Sequence, residues 1–249
     1  MVPPASRGRQ VQVEYLAPAE LDAALAEAPV AFLPLGSLEF HGSHLPIGLD
    51  ALNALGVCIA AARRTGGLVF PPVYQSLGGG HSDYPWTIMM PSAEGIRSNL
   101  LYTLRRLEEF GFRQAVLFTG HFADEQLLMI DELAAEWEGS GDHSMGILAT
   151  GVNRCPDAPL APDHAGIFET SLFHSLWPKL VHLDRLPSLA ENPAVDPGGD
   201  PAGPQRHDSR HPLWGIFGPD PRLTDLTTTD ALRESLVRWL SALVRERMA

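Results

Sequence analysis

Short apolar runs and longer amphipathic stretches alternate along this chain. Four runs, "VAFLPLG" (30–36), "LVFPPVYQ" (68–75), "QAVLFTG" (114–120) and "MGILATG" (145–151), show no polar–apolar alternation. That pattern suits strands buried on both faces, as in a parallel sheet. Between and around them lie segments with apolar residues at helical spacing. "APAELDAALAEAP" (17–29) has Pro near its start and just after its end, and "DALNALGVCIAAARRTGG" (50–67) stops at a Gly pair. "SAEGIRSNLLYTLRRLEEFGF" (92–112) offers Ser92 as an N-cap. "DEQLLMIDELAAEWEG" (124–139), "GIFETSLFHSLWP" (166–178) and "TDALRESLVRWLSALVRERM" (229–248) complete the helices. Residues 1–16 read as a polar arm with a short strand. Residues 184–222 read as a long Pro/Gly-rich loop of the kind that is often functional. Strands alternating with helices predict an α/β fold with a mostly parallel central sheet, covered by helices on both faces, in one domain spanning 1–249.

Composition narrows the function classes. A net charge of -12 argues against nucleic acid as a partner, because phosphate binding needs clustered Lys and Arg. No apolar run approaches the roughly 18 residues of a membrane span. The N-terminus lacks the apolar core of a signal peptide, and neither Cys58 nor Cys155 sits in a CxxC pair. A cytoplasmic protein without sulfur zinc sites is the expectation.

Candidate chemistry appears where the strands end. Glu39, His41, His44 and Asp50 follow the first strand, His81 and Asp83 the second, His121 and Asp124 the third, and Asp163, His164 and Glu169 the fourth. Ligands of open parallel sheets bind at the carboxyl ends of the strands, so these side chains should converge. A lone loop histidine is ordinary; four loops that each deliver acids and imidazoles to one edge form a pattern. Carboxylate and imidazole without thiolate suit zinc, with manganese or iron as alternatives. Glu39 and His41 are spaced i, i+2, so in extended backbone they share a side. Two metals about 3.5–4 Å apart with a shared carboxylate are a common hydrolytic design, in which bound water is acidic enough to serve as hydroxide. No dinucleotide fingerprint, Walker loop or nucleophile elbow competes.

The stretch "LPLGSLEFHGSHLPIGLD" (33–50) resembles the signature of the creatininase family, the creatinine amidohydrolases and their relatives. "VLFTGHFADE", "DHAGIFETS" (163–171) and "GIFGPDPRLT" (215–224) resemble later family blocks in the same order. The resemblance implies a three-layer α/β/α fold, a two-metal site, assembly as a homo-oligomer, often a hexamer, and hydrolysis of small, often cyclic, amides. Carried over residue by residue, Glu39, Asp50 and His121 would hold one metal. His41, Asp50 and Glu169 would hold the other, with Asp50 bridging. His164, beside the metals, and Glu169 would be the catalytic candidates. His44, Phe40, His81, Asp83, Trp86 and Asp124 would serve the small-molecule substrate.

This sequence departs from the family wording in places. Phe40 stands where Gln is usual, Thr119 where Asn is usual, and Trp86 where Gly is common. Ala123 occupies a position where creatininase itself has a metal-binding Glu, which brings Asp124 or Glu125 forward as substitutes. The leading expectation is a two-metal hydrolase of a C–N bond. The alternatives are opening of an oxidised cyclitol or sugar ring, and a metal-binding protein without turnover.

Overall fold

The computed structural model describes residues 9–80, 82–193 and 203–249. His81, the first eight residues and 194–202 of the Pro/Gly-rich loop lie outside the described residues. In chain order the main elements are α1 (Pro18–Glu27), β1 (Val30–Leu35), α2 (Leu49–Thr65), β2 (Leu68–Val69), α3 (Glu94–Phe110), β3 (Gln114–Thr119), α4 (Asp124–Gly139), β4 (Gly146–Gly151), α5 (Ile167–Leu176), a short α6 (Pro204–His207) and α7 (Asp230–Met248).

The four strands form one parallel sheet in the order β2-β1-β3-β4. Every residue of β1 and β3 is buried, which accounts for their unbroken apolar runs. Alternate side chains serve opposite faces. Phe32, Val116, Phe118 and Leu148 pack with α2, α5 and α7, whereas Ala31, Leu33, Leu117 and Ile147 pack with α3 and α4. This is the expected α/β architecture with helices on both faces. A third cluster of Leu45, Leu49, Ala165, Phe173, Leu213 and Ile216 lies above the strand ends and ties the loop after β1 to α5 and the C-terminal loops.

Three local expectations are corrected. The strand expected over 68–75 is regular only at Leu68–Val69, because Pro71 and Pro72 bring no N–H to a ladder; single bonds from Phe70 and Val73 to β1 continue the pairing. Ser92 does not cap α3: the helix starts at Glu94 after Ala93, without a side-chain cap. The arm contributes one bridge, Gln12 to Val69, and then a 3-10 turn over Val13–Tyr15 instead of a strand. Among the described residues no helix is long and apolar enough to cross a membrane.

Candidate metal centre

The sheet's strand order reverses at β1: the chain goes from β1 to β2 on one side, then returns to place β3 on the other. A crevice opens at such a point, above the carboxyl ends of the two central strands. Two glycines let α2 approach that crevice. A Cβ on Gly36, just past β1, would lie 2.2 Å from the Ala51 amide nitrogen. One on Gly120, just past β3, would lie 2.0 Å from the Asp50 carbonyl oxygen. Both strand ends therefore press directly on the first turn of α2 and hold Asp50 over the crevice. Asp50 and Glu169 sit in the first turns of α2 and α5, where the helix dipole favours carboxylates.

Glu39, His41, Asp50, His121 and Glu169 are all buried, and their ligand atoms converge. His41 Nε2 lies 3.2 Å from Asp50 Oδ1 and 3.5 Å from Glu169 Oε2. His121 Nδ1 lies 3.0 Å from Glu39 Oε2 and 3.3 Å from Asp50 Oδ2. Asp50 thus turns one oxygen to each imidazole. Among the described residues, three groups have ligand atoms mutually within 4.8 Å: Glu39 with Asp50 and His121, His41 with Asp50 and Glu169, and Glu39 with His41 and His164. The first two contain the same residues as the two ligand sets drawn from the resemblance.

Each imidazole is aimed by its other nitrogen. His41 Nδ1–H donates to Glu39 O at 2.9 Å, His121 Nε2–H to Leu77 O at 3.2 Å, and His164 Nε2–H to Phe40 O at 3.2 Å. Bonds of this kind fix the tautomer that presents a lone pair to a cation. Ser37 Oγ donates to Asp50 Oδ2, and Ala165 N donates to Glu169 Oε2 at 2.6 Å. Asp163 caps α5, accepting from the amides of Gly166, Phe168 and Glu169 at 3.1, 2.8 and 3.3 Å.

The donor set fits divalent cations. His41 Nε2 and Asp50 Oδ1 are buried without a hydrogen-bond partner, although they face each other within the His41, Asp50 and Glu169 cluster. Burial opposes charge on His41, but Asp50, Glu169 and Glu39 hold its pKa well above the ordinary imidazole value. His121 is also desolvated, yet its bonds to Asp50 and Glu39 push it up to about 10. Burial leaves the Glu169 carboxyl well above its usual range despite the nearby His41. Three buried carboxylates set against two imidazoles form a charge cluster that metal ions would neutralise.

A cavity of about 240 Å³ opens onto these groups, lined also by Gly79, Phe122, Ala123, His164, Arg206 and Phe217. Of the expected substrate residues, those that the structure describes do not line it. His44 is buried behind the clusters, with Nε2 3.1 Å from Thr170 Oγ1; burial and the charge on His41 push its pKa down to about 3. Phe40 packs against Tyr84 and Trp214, and its backbone, not its ring, serves the site by orienting His164. Asp83 and Asp124 are exposed, and Trp86 is 81% exposed at a left-handed backbone position (φ 62°). Glu125 lies against Gly78 and joins neither cluster. Arg206 and Phe217 carried no sequence signal as lining residues beyond the family-like block around Phe217.

The creatininase family profile, described as creatinine amidohydrolase, matches residues 14–244. The chain belongs to the creatininase family. It is an enzyme of the metal-dependent amidohydrolase type. The creatinine amidohydrolase of Pseudomonas putida is 32% identical over 199 residues, covering 71% of this chain and 75% of that protein. The mycofactocin precursor peptide peptidase of Mycobacterium ulcerans (strain Agy99) is 33% identical over 169 residues, covering 64% and 62%. Among solved structures, a tryptophan-to-phenylalanine variant of creatininase superposes with a TM-score of 0.77 at 25% identity, covering 96% of this chain and 98% of that one. A manganese creatininase gives 0.75 at 25% identity with the same coverage.

Proposed function

We propose that this creatininase-family protein hydrolyses a C–N bond of a small amide or lactam at a centre of two divalent cations. The observation that carries this reading is Asp50, whose two oxygens face two separate ligand clusters. Glu39, Asp50 and His121 would hold one ion; His41, Asp50 and Glu169 would hold the other. Zinc fits this mixed carboxylate–imidazole set first, and manganese or iron also fit it. When bound, such a pair supplies an acidified water and polarises a carbonyl oxygen.

The chain's own groups supply the rest. In hydrolysis the water oxygen bonds to the carbonyl carbon, the C–N bond breaks, and the departing nitrogen takes up a proton. His164 is the group suited to take the proton that the water gives up and pass it to that nitrogen. Its Nε2–H is committed to Phe40 O, while Nδ1 faces the cavity side, 3.9 Å from Glu39 Oε1. Its ring is braced between His41 and Phe217, at centroid distances of 4.4 and 5.3 Å. General acid help of this kind is worth roughly 10²–10⁴-fold. The small cavity volume favours a compact substrate.

Metal analysis after expression with supplemented zinc or manganese tests the reading. Up to two ions per chain are expected, falling to one in Glu169→Gln, with amide hydrolysis abolished by chelators. Metal-free protein whose amidase activity ignores chelators would refute it.

A further inference from the structure

Arg206 is the only Lys or Arg among the described residues that line the cavity. It stands in α6, within the segment expected to be a Pro/Gly-rich loop and far in sequence from every candidate ligand, yet the fold brings it to the cavity wall. Its guanidinium carbon lies 4.5 Å from the centroid of Phe217, over the ring face. Phe217 in turn stacks on His164 and is paired with it through backbone bonds in both directions, at 3.0 and 2.8 Å. One wall therefore runs from Arg206 through Phe217 to His164.

That wall is anchored from behind. Tyr84 Oη donates to Arg206 O at 2.9 Å, and Gly215 N donates to Gln205 O at 2.8 Å. The Tyr84 ring stacks on Phe217 with centroids 6.4 Å apart. Arg206 Nη2 donates to the carbonyl of Gly79, another residue of the cavity lining, at 3.5 Å. A guanidinium held by an aromatic face and a fixed backbone is pre-set to receive a planar anion through parallel N–H donors.

Charge points the same way. Glu39, Asp50 and Glu169 bring three negative charges to the cavity, which two divalent cations and the hydroxide they generate would balance to neutrality. Arg206 then makes the pocket positive, in a chain whose net charge is -12. The pocket would thus carry the opposite sign to the chain as a whole.

We propose that Arg206 selects substrates bearing a carboxylate next to the scissile amide, a class that includes carboxylated lactams and amides with a free terminal carboxyl. This deepens the two-cation reading and rests on it. The test is isothermal titration of the metal-loaded protein with 2-pyrrolidone-5-carboxylate and with 2-pyrrolidone, two lactams that differ by one carboxylate. Wild-type protein should favour the carboxylate by roughly ten- to hundred-fold, the scale of a charged hydrogen-bonded pair. Arg206→Met should remove that preference, and Arg206→Lys should keep part of it. Metal content, measured on the same samples, should be unchanged by either substitution. A preference that survives in Arg206→Met would assign the carboxylate to the cations and overturn the proposal. Equal titrations by the two lactams in wild type, or no binding of either, would overturn it as well. Protein that takes up no metal would overturn the two-cation reading, a result read separately from the lactam comparison.

Discussion

Replacing Gly120 with Ala adds one methyl group at the point where β3 meets α2. Its Cβ would lie 2.0 Å from Asp50 O, 2.7 Å from Asp50 C and 3.0 Å from Asp50 Cα. Real Cβ atoms do not approach closer than 3.0 Å, so backbone must separate by at least 1 Å (3.0 minus 2.0). The strand end is poorly placed to move. Gly120 N bonds to Leu35 O at 2.8 Å, and Thr119 is in register with both Leu35 and Gly151. The start of α2 therefore shifts, and Asp50 leaves its position 3.2 and 3.3 Å from the two imidazoles. A misplacement of this size costs on the order of 10²-fold in function, or about 2.7 kcal/mol. Overpacking alone costs about 1–3 kcal/mol of stability.

Chelator competition, which titrates metal from the protein with a chromophoric chelator, measures the first effect, and thermal unfolding measures the second. Gly120→Ala should bind metal at least tenfold more weakly and unfold several degrees lower. Gly139→Ala, where an added Cβ meets nothing within 4 Å, is the control and should match wild type or exceed it slightly. If Gly120→Ala retains full metal affinity and an unchanged melting temperature, the clamp on Asp50 is not what positions it.

Metal affinity should rise with pH. The surrounding carboxylates hold His41 well above its ordinary pKa and push His121 up to about 10, so a cation must displace protons from both rings. Affinity should climb by up to tenfold per pH unit for each proton displaced between pH 6 and 9, with matching proton release in calorimetry; a flat profile would contradict the charge balance described for the site. Arg222→Ala should cost about 3–5 kcal/mol, because it strands the buried Asp220 carboxylate and also removes donors to Pro187 O and Asn192 O. Chemical denaturation reads this directly, and a loss below about 1 kcal/mol would mean that Asp220 finds another partner.

Much of this arrangement is legible in the sequence because the relevant signals are local. An apolar run that breaks at Gly36 or Gly120 marks a strand end, and the acids and histidines just beyond it must lie at one sheet edge. The i, i+2 spacing of Glu39 and His41 does bring both side chains inward. What is not legible depends on contacts between distant segments. Glycine after a strand reads as punctuation, but its need for close approach to Asp50 appears only when α2 is packed. Trp86 looks like a pocket residue by position, yet a left-handed backbone turns it out to solvent. Arg206 sits in a segment without periodicity, and its neighbours Gly79 and Phe217 are supplied by tertiary structure.

The same division separates what the family settles from what this chain decides for itself. Asp50, His121 and Glu169 are placed by the packed helices and strands next to them, and Glu39 and His41 by the short loop that β1 and Ile47 hold in place. These positions cannot drift without disturbing the core. Arg206 comes from the short α6 and Phe217 from a loop, surface segments that can be exchanged around a fixed donor set at little cost to the fold. In the proposed reading, bond cleavage rests on the rigid donor set and substrate choice on the segments around it. In this chain the feature that bears most directly on that choice is a guanidinium anchored on the wall that leads to His164.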